Sequence, residues 1–180
     1  MTLDEFLALP ETEPASEFIC GEVIQKAMPT GNHGTLAAEL GALLRNHLRS
    51  TKAGRVMIET RYAARKEGRS YLPDVGVVLR VRMSVDRAEM KSGAIEYIPD
   101  LAIEILSPDD RPSRVAEKLA FYTRNEIPLV WVVDPDERTI DAYRPGRPTT
   151  RHTADDVITG EPVLPDFRLD VGALFAVLDE

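Results

Sequence analysis

Glu104 lies inside a run that otherwise reads as a buried strand, Pro99-Asp100-Leu101-Ala102-Ile103-Glu104-Ile105-Leu106-Ser107-Pro108. Alternation along an extended chain puts Leu101, Ile103 and Ile105 on one face and Ala102, Glu104 and Leu106 on the other. A strand apolar on both faces belongs in the interior of a sheet. A carboxylate there costs on the order of several kcal/mol unless it is protonated, paired or bound to a cation. Upstream, Pro73-Asp74 opens a second apolar run, Val75-Gly76-Val77-Val78-Leu79. Pro-Asp recurs at 99–100, 108–109, 135–136 and 165–166, but only the first pair precedes an apolar run with a buried-strand acid well downstream. Lys118 follows Glu104 in the next expected helix. Two carboxylates on neighbouring strands and one lysine suit hydrolysis of a phosphodiester. The hard cations Mg²⁺ and Mn²⁺ take oxygen ligands, typically one or two carboxylates with waters and substrate phosphate. Such a cation acidifies water and neutralises phosphate charge. A nearby lysine orients or deprotonates the attacking water, or offsets charge in the transition state.

Each residue also has an ordinary structural use. An Asp after Pro commonly caps a turn. A buried glutamate commonly pairs with an arginine. Lys118 flanks the apolar stripe of Val115, Leu119 and Tyr122, where a lysine commonly extends its ammonium to solvent. Residue types and spacing alone leave these readings open beside the catalytic one.

The elements that must position these groups can be read from pattern and punctuation. Leu3, Phe6 and Leu7 have helical spacing and stop at Pro10. Residues 17–28 read as two short strands around Cys20-Gly21, a turn signal. From Asn32 a helix is expected, with Leu36, Leu40, Leu43, His47 and Leu48 recurring at three- and four-residue intervals. Residues 55–64 and 75–81 are β-like, with a turn at 66–70. Residues 84–93 are polar and suggest a surface helix and loop. A helix is expected over 113–125, with Ser113 as N-cap after Pro112. Residues 129–133 form an apolar strand, and Asp134-Pro135-Asp136-Glu137 turns into another at 139–143. Residues 145–153 read as a loop, and 167–178 as alternating, then helical. The expectation is an α/β (α+β) fold: a mixed central sheet flanked by helices, in one domain spanning 1–180.

Composition narrows the classes. The 180 residues suffice for one sizeable core, and 43% apolar with 29% charged residues is globular composition. No apolar run approaches the roughly 20 residues of a membrane helix. The acidic start Met1-Thr2-Leu3-Asp4-Glu5 is unlike a signal or transit peptide. The single cysteine, Cys20, rules out an internal disulfide and a multi-cysteine zinc site. A reducing, cytoplasmic setting is expected. The net charge of −8 argues against a surface that attracts DNA all over, while leaving room for a local basic groove.

Several motifs together resemble a known family. These are Pro73-Asp74-Val75, the Pro99–Pro108 run, Glu117-Lys118 with Tyr122, Ile127-Pro128, Trp131 and Val133-Asp134-Pro135. Gly21-Glu22-Val23, Met28-Pro29, His33 and Leu164-Pro165-Asp166-Phe167 extend the match over nearly the whole chain. The pattern is similar to the Uma family of putative restriction endonucleases, a bacterial branch of the PD-(D/E)xK nuclease superfamily. The resemblance implies a restriction-endonuclease-like core, with Asp74 and Glu104 as ligands of Mg²⁺ (or Mn²⁺) and Lys118 as the catalytic lysine. In the superfamily's common pattern the lysine stands two residues after the second acid. Leu106 occupies that position here, so Lys118 would be a migrated replacement from the following helix.

The superfamily often carries a further acid on its first core helix, which nominates Glu39, and His33 near that helix's start is a second accessory candidate. His47 is expected to be packed, and His152 carries no signal. Two departures stand out. Arg114 sits where the family often has an aspartate, four residues before the lysine. Glu126 replaces a glycine before Ile-Pro, with Asn125 expected to supply the left-handed turn. The implied activity is cleavage of DNA by metal-activated water, and a two-fold homodimer would suit cutting both strands. The competing reading is an inactive nuclease-fold protein used for binding or assembly. A third is an enzyme acting on RNA or a nucleotide.

Overall fold

Alternating apolar side chains along adjacent strands give the central sheet two buried faces. In the computed structural model, which describes residues 1–81, 83, 93–96 and 98–180, this sheet has six strands. They are β3 (Gly54–Ile58), β6 (Val75–Leu79), β7 (Leu101–Ile105), β8 (Leu129–Asp134), β9 (Thr139–Tyr143) and β10 (Thr150–His152). The spatial order is β10-β9-β8-β7-β6-β3. Only β7 and β8 run parallel. A parallel pair needs a crossover, and α3 (Pro112–Arg124) supplies it.

One face carries Val75, Val77, Leu101, Ile103, Ile105, Leu129, Trp131 and Val133. These pack against Leu36, Leu40, Leu44 and Leu48 of α2 (Gly31–Thr51) and against Leu174 and Phe175 of α4 (Val171–Ala176). The leucines recur every four residues and form the stripe that a sheet-packed helix requires. His47 is half-buried at the edge of this core, edge-on to Phe167. The opposite face carries Ala102 and Val130 beneath Phe121 and Tyr122 of α3.

That second face also meets a smaller sheet. Its strands are β1 (Ser16–Ile19), β2 (Glu22–Gln25), β4 (Tyr62–Ala64) and β5 (Arg69–Tyr71), in the order β2-β1-β5-β4. Ile19 and Tyr71 join the α3 cluster, and Tyr71 stacks on Phe121 with ring centroids 3.9 Å apart. The short helix α1 (Leu3–Leu7) covers this sheet through Phe6, which stacks on Phe18. The β-like run 55–64 is therefore two strands, β3 and β4, in different sheets. Glu59 between them takes a positive φ of 44°. Such a break leaves little mark in an alternating sequence.

Three other expectations are corrected. The N-cap of α3 is Arg111, with no side-chain cap bond, and Pro112 is the first helical residue. Ser113 is thus already inside the helix, because proline's fixed φ suits the first turn. The left-handed residue before Ile127-Pro128 is Glu126 itself, φ 52°, while Asn125 has φ −88°. The stretch 145–153 contains β10, which pairs with β9 at the sheet edge. A two-stranded ribbon of β11 (Val157–Thr159) and β12 (Arg168–Asp170) precedes α4. The surface helix expected over 84–93 falls outside the described residues except for Gly93. No helix among the described residues is long and apolar enough to cross a membrane.

Candidate active site

The register of β6 and β7 brings the two acids together. Val75 pairs with Ile103, Gly76 with Ala102 and Val77 with Leu101. One step further along this antiparallel ladder, Asp74 falls opposite Glu104. Both side chains leave the sheet on the face shared with Ala102, towards α3 and the smaller sheet. Directly opposed residues in a sheet have Cβ atoms roughly 4.5–5.5 Å apart, close enough for one ion to lie between their carboxylates. Gly76 is part of this arrangement. A Cβ there would stand 2.5 Å from the Tyr62 hydroxyl, so only glycine lets Tyr62 lie across the strand.

Both acids are buried, and every carboxylate oxygen has a donor. Asp74 Oδ1 accepts from Lys26 Nζ at 2.6 Å. Asp74 Oδ2 accepts from the backbone N–H of Ile105 at 2.7 Å and lies 3.2 Å from His33 Nε2. Glu104 Oε2 accepts from Lys118 Nζ at 2.8 Å, and Oε1 from the Tyr122 hydroxyl. Lys118 and Tyr122 are one helical turn apart on α3, so they reach the same carboxylate. Lys118 Nζ also lies 3.0 Å from Oε1 of Glu17, which in turn accepts from Leu72 N–H at 2.8 Å. Lys26 is additionally bonded to the Leu72 carbonyl at 3.0 Å.

Electrostatics separates the two acids. Burial pushes Asp74 up, but the His33 hydrogen bond and the ammonium groups of Lys26 and Lys118 outweigh it, and the net shift is below the usual carboxylate range. Burial also pushes Glu104 up, and there it prevails over Lys118, with the Asp74 charge adding to the rise. Burial lowers Lys118, yet Glu104, Glu17 and Asp74 together raise it above its ordinary value. Tyr122 is likewise raised, by burial and then by the Glu104 charge, and stays a donor.

These groups open onto a cavity of about 360 Å³. Asp74, Glu104, Lys118 and His33 all line it, together with Glu17 and Lys26. Arg111, Arg114, Asp109 and Asp110 line it as well. Arg114 donates to Glu117 at 2.9 Å, so the cation that replaces the family's aspartate is held on its own helix. Glu39 is not among the lining residues. It is half-buried on α2, roughly 120° from His33 on a wheel of 100° per residue.

Sequence reasoning assigned no role to Glu17, Lys26 or Tyr122. Glu17 carried a readable signal, a carboxylate beside Phe18-Ile19, the same anomaly as Glu104 in a shorter run. Tyr122 was visible only as a partner of Lys118 in Lys-x-x-x-Tyr. A lysine after a short exposed strand gave no signal for Lys26.

The donor set fits a hard divalent cation. Among the described residues no three His, Cys, Asp or Glu side chains gather as metal ligands. The two opposed carboxylates, Asp74 and Glu104, are the ligands the protein itself would offer at this polar cavity. Magnesium commonly uses such a set, keeping waters and substrate oxygens as its other ligands.

The chain is similar to known proteins. The Uma2 family model, described as "Putative restriction endonuclease", matches residues 3–172. A crystal structure described as a putative nuclease belonging to DUF820, from Anabaena variabilis, superposes with a TM-score of 0.89. It has 32% sequence identity, and 99% of each chain is covered. The cryo-EM structure of a DrdV–DNA complex matches with a TM-score of 0.40 and 14% identity, over 79% of this chain and 11% of that one. No curated protein matches the chain.

Proposed function

The chain belongs to the Uma2 family of putative restriction endonucleases, and from that premise we propose that it is a metal-dependent endonuclease that hydrolyses phosphodiester bonds in DNA. The observation that carries the reading is the opposition of Asp74 and Glu104 at one cavity, with Lys118 2.8 Å from Glu104. Asp74 and Glu104 would hold Mg²⁺ or Mn²⁺. Such a cation supplies charge neutralisation at the phosphate and an acidified water for in-line attack.

The chain's own residues do the positioning. The Ile105 N–H and His33 fix one edge of Asp74 and leave Oδ1 towards Lys26. Tyr122 fixes Glu104 from the helix side. Lys118 is held between Glu104 and Glu17, so its ammonium is oriented before substrate arrives. A fixed cation at that point offsets negative charge that grows on the phosphate, without reorganisation at the moment of reaction. Arg111 at the cavity wall would offer a guanidinium group to a flanking phosphate, beside the acids Asp109 and Asp110 of the same wall.

The test is plasmid cleavage with Mg²⁺ or Mn²⁺, comparing the wild type with Asp74→Asn and Lys118→Ala. Loss in both variants is expected. Equal cleavage by all three proteins would place the activity elsewhere. One observation favours the second reading, an inactive nuclease-fold binding protein: the protein's own donors already satisfy both carboxylates. Absence of Mn²⁺ binding at millimolar metal would select it.

A further inference from the structure

The geometry points to Lys26 as a tethered cation that occupies Asp74 and competes with the divalent metal for it. This inference rests on the reading of Asp74 and Glu104 as a metal centre. Lys26 comes from the end of β2, in the smaller sheet, and belongs to neither acid's strand. Its ammonium takes Asp74 Oδ1 at 2.6 Å, the shorter of the two contacts Asp74 makes to a cationic or ionisable side chain. The other donors to Asp74 are ill suited to leave. Ile105 N–H belongs to the central strand, and His33 is anchored by α2 in the core. Lys26 also donates to the Leu72 carbonyl, but its side chain is 16% exposed at the cavity against 6% for His33, so it has solvent-accessible room to move into. A flexible four-carbon stem with a point charge can retreat into the cavity at little steric cost.

The arrangement solves a problem that burial creates. Without metal or Lys26, Asp74 would be a buried anion facing a second carboxylate, with only the Ile105 N–H and His33 as donors. Lys26 removes that charge in the resting protein. When a divalent cation arrives, the ammonium must leave Oδ1, and it then lies within the same cavity as an incoming phosphate. Lys118 differs: it bridges Glu104 and Glu17, so it keeps one carboxylate partner if the other turns to metal.

Calorimetric titration with Mn²⁺ alone tests this, using the full chain and the variants Lys26→Met, Lys26→Gln, Lys26→Arg and Asp74→Asn. Each variant's fold is checked by thermal unfolding. Loss of the competing ammonium should tighten Mn²⁺ binding roughly tenfold in Lys26→Met, the order of one charge-assisted hydrogen bond. Lys26→Gln keeps a polar group of similar reach if Lys26→Met unfolds, and it should tighten binding too. Lys26→Arg should stay near the wild type, and Asp74→Asn should lose binding. Unchanged or weaker binding in both neutral variants, beside clear binding by the wild type, would overturn the role of Lys26 and leave the metal centre standing. No Mn²⁺ binding by any of the proteins would overturn both.

Discussion

Replacing Lys118 by Met should expose how much of the site's stability one ammonium supplies. Its Nζ lies 2.8 Å from Glu104 and 3.0 Å from Glu17, and these two acids are 6% and 4% exposed. Met keeps the length and apolar volume of the stem, so the packing of α3 changes little. What remains is two buried carboxylates without their shared cation. Breaking a buried pair in this way typically costs about 3–5 kcal/mol. For a chain of this size that is a fall in Tm of roughly 6–20 °C, at roughly 2–4 °C per kcal/mol.

The loss should depend on pH. Glu104 is already raised above its ordinary 4.5, and removing Lys118 raises it further. A folded-state pKa above the unfolded value favours folding below the unfolded value, and that advantage is lost as pH rises through the folded one. The variant should therefore be closest to wild type near about pH 5 and furthest from it near about pH 8. Urea denaturation at both values measures this, and adding Glu104→Gln should recover part of the stability at the higher pH. A fall below about 1 kcal/mol, equal at both pH values, would show that the ammonium is not the partner of these acids.

Two further outcomes follow from the same geometry. Asp74 lies below its ordinary 3.8, so its contribution is present above that value and is lost as pH falls through the lower folded one. Asp74→Asn should flatten the acid limb of a pH–stability curve measured by urea denaturation, and an unchanged limb would assign it to other groups. Gly76→Ala drives a methyl to within 2.5 Å of the Tyr62 hydroxyl and should cost about 1–3 kcal/mol in chemical denaturation. A neutral result would mean that Tyr62 swings aside freely.

Much of the central sheet was legible because its strands are buried on both faces. Val75–Leu79, Leu101–Ile105 and Leu129–Asp134 are short apolar runs bounded by turn residues, and each forms a strand. Glu104 stood out because it violated that pattern. The α2 stripe was equally plain in its leucines, although Leu44 rather than Leu43 is fully buried. The smaller sheet was harder to see. Its four strands are three or four residues long, too short for a period to declare itself, and β4 follows β3 without a Gly or Pro between them. The site suffered for the same reason. Lys26 reaches Asp74, and Glu17 reaches Lys118, only through the packing of the smaller sheet on the larger, which no local pattern encodes. Glu39 shows the converse, since its place on α2 suggested an accessory acid that the helix turns away from the cavity.

The stack of Tyr71 on Phe121 gives Lys118 an unusual dependence. A lysine two residues after Glu104 would share that strand and move only with it. Lys118 instead belongs to a helix seated between two sheets, and its distance from Glu104 follows wherever that helix settles. Substitutions along the seat, at Tyr71, Phe121 or Ile127, can therefore slide the ammonium relative to the acids while leaving all three polar residues in place. The geometry of the candidate site is adjustable from the hydrophobic side, by changes that a survey of polar residues would pass over.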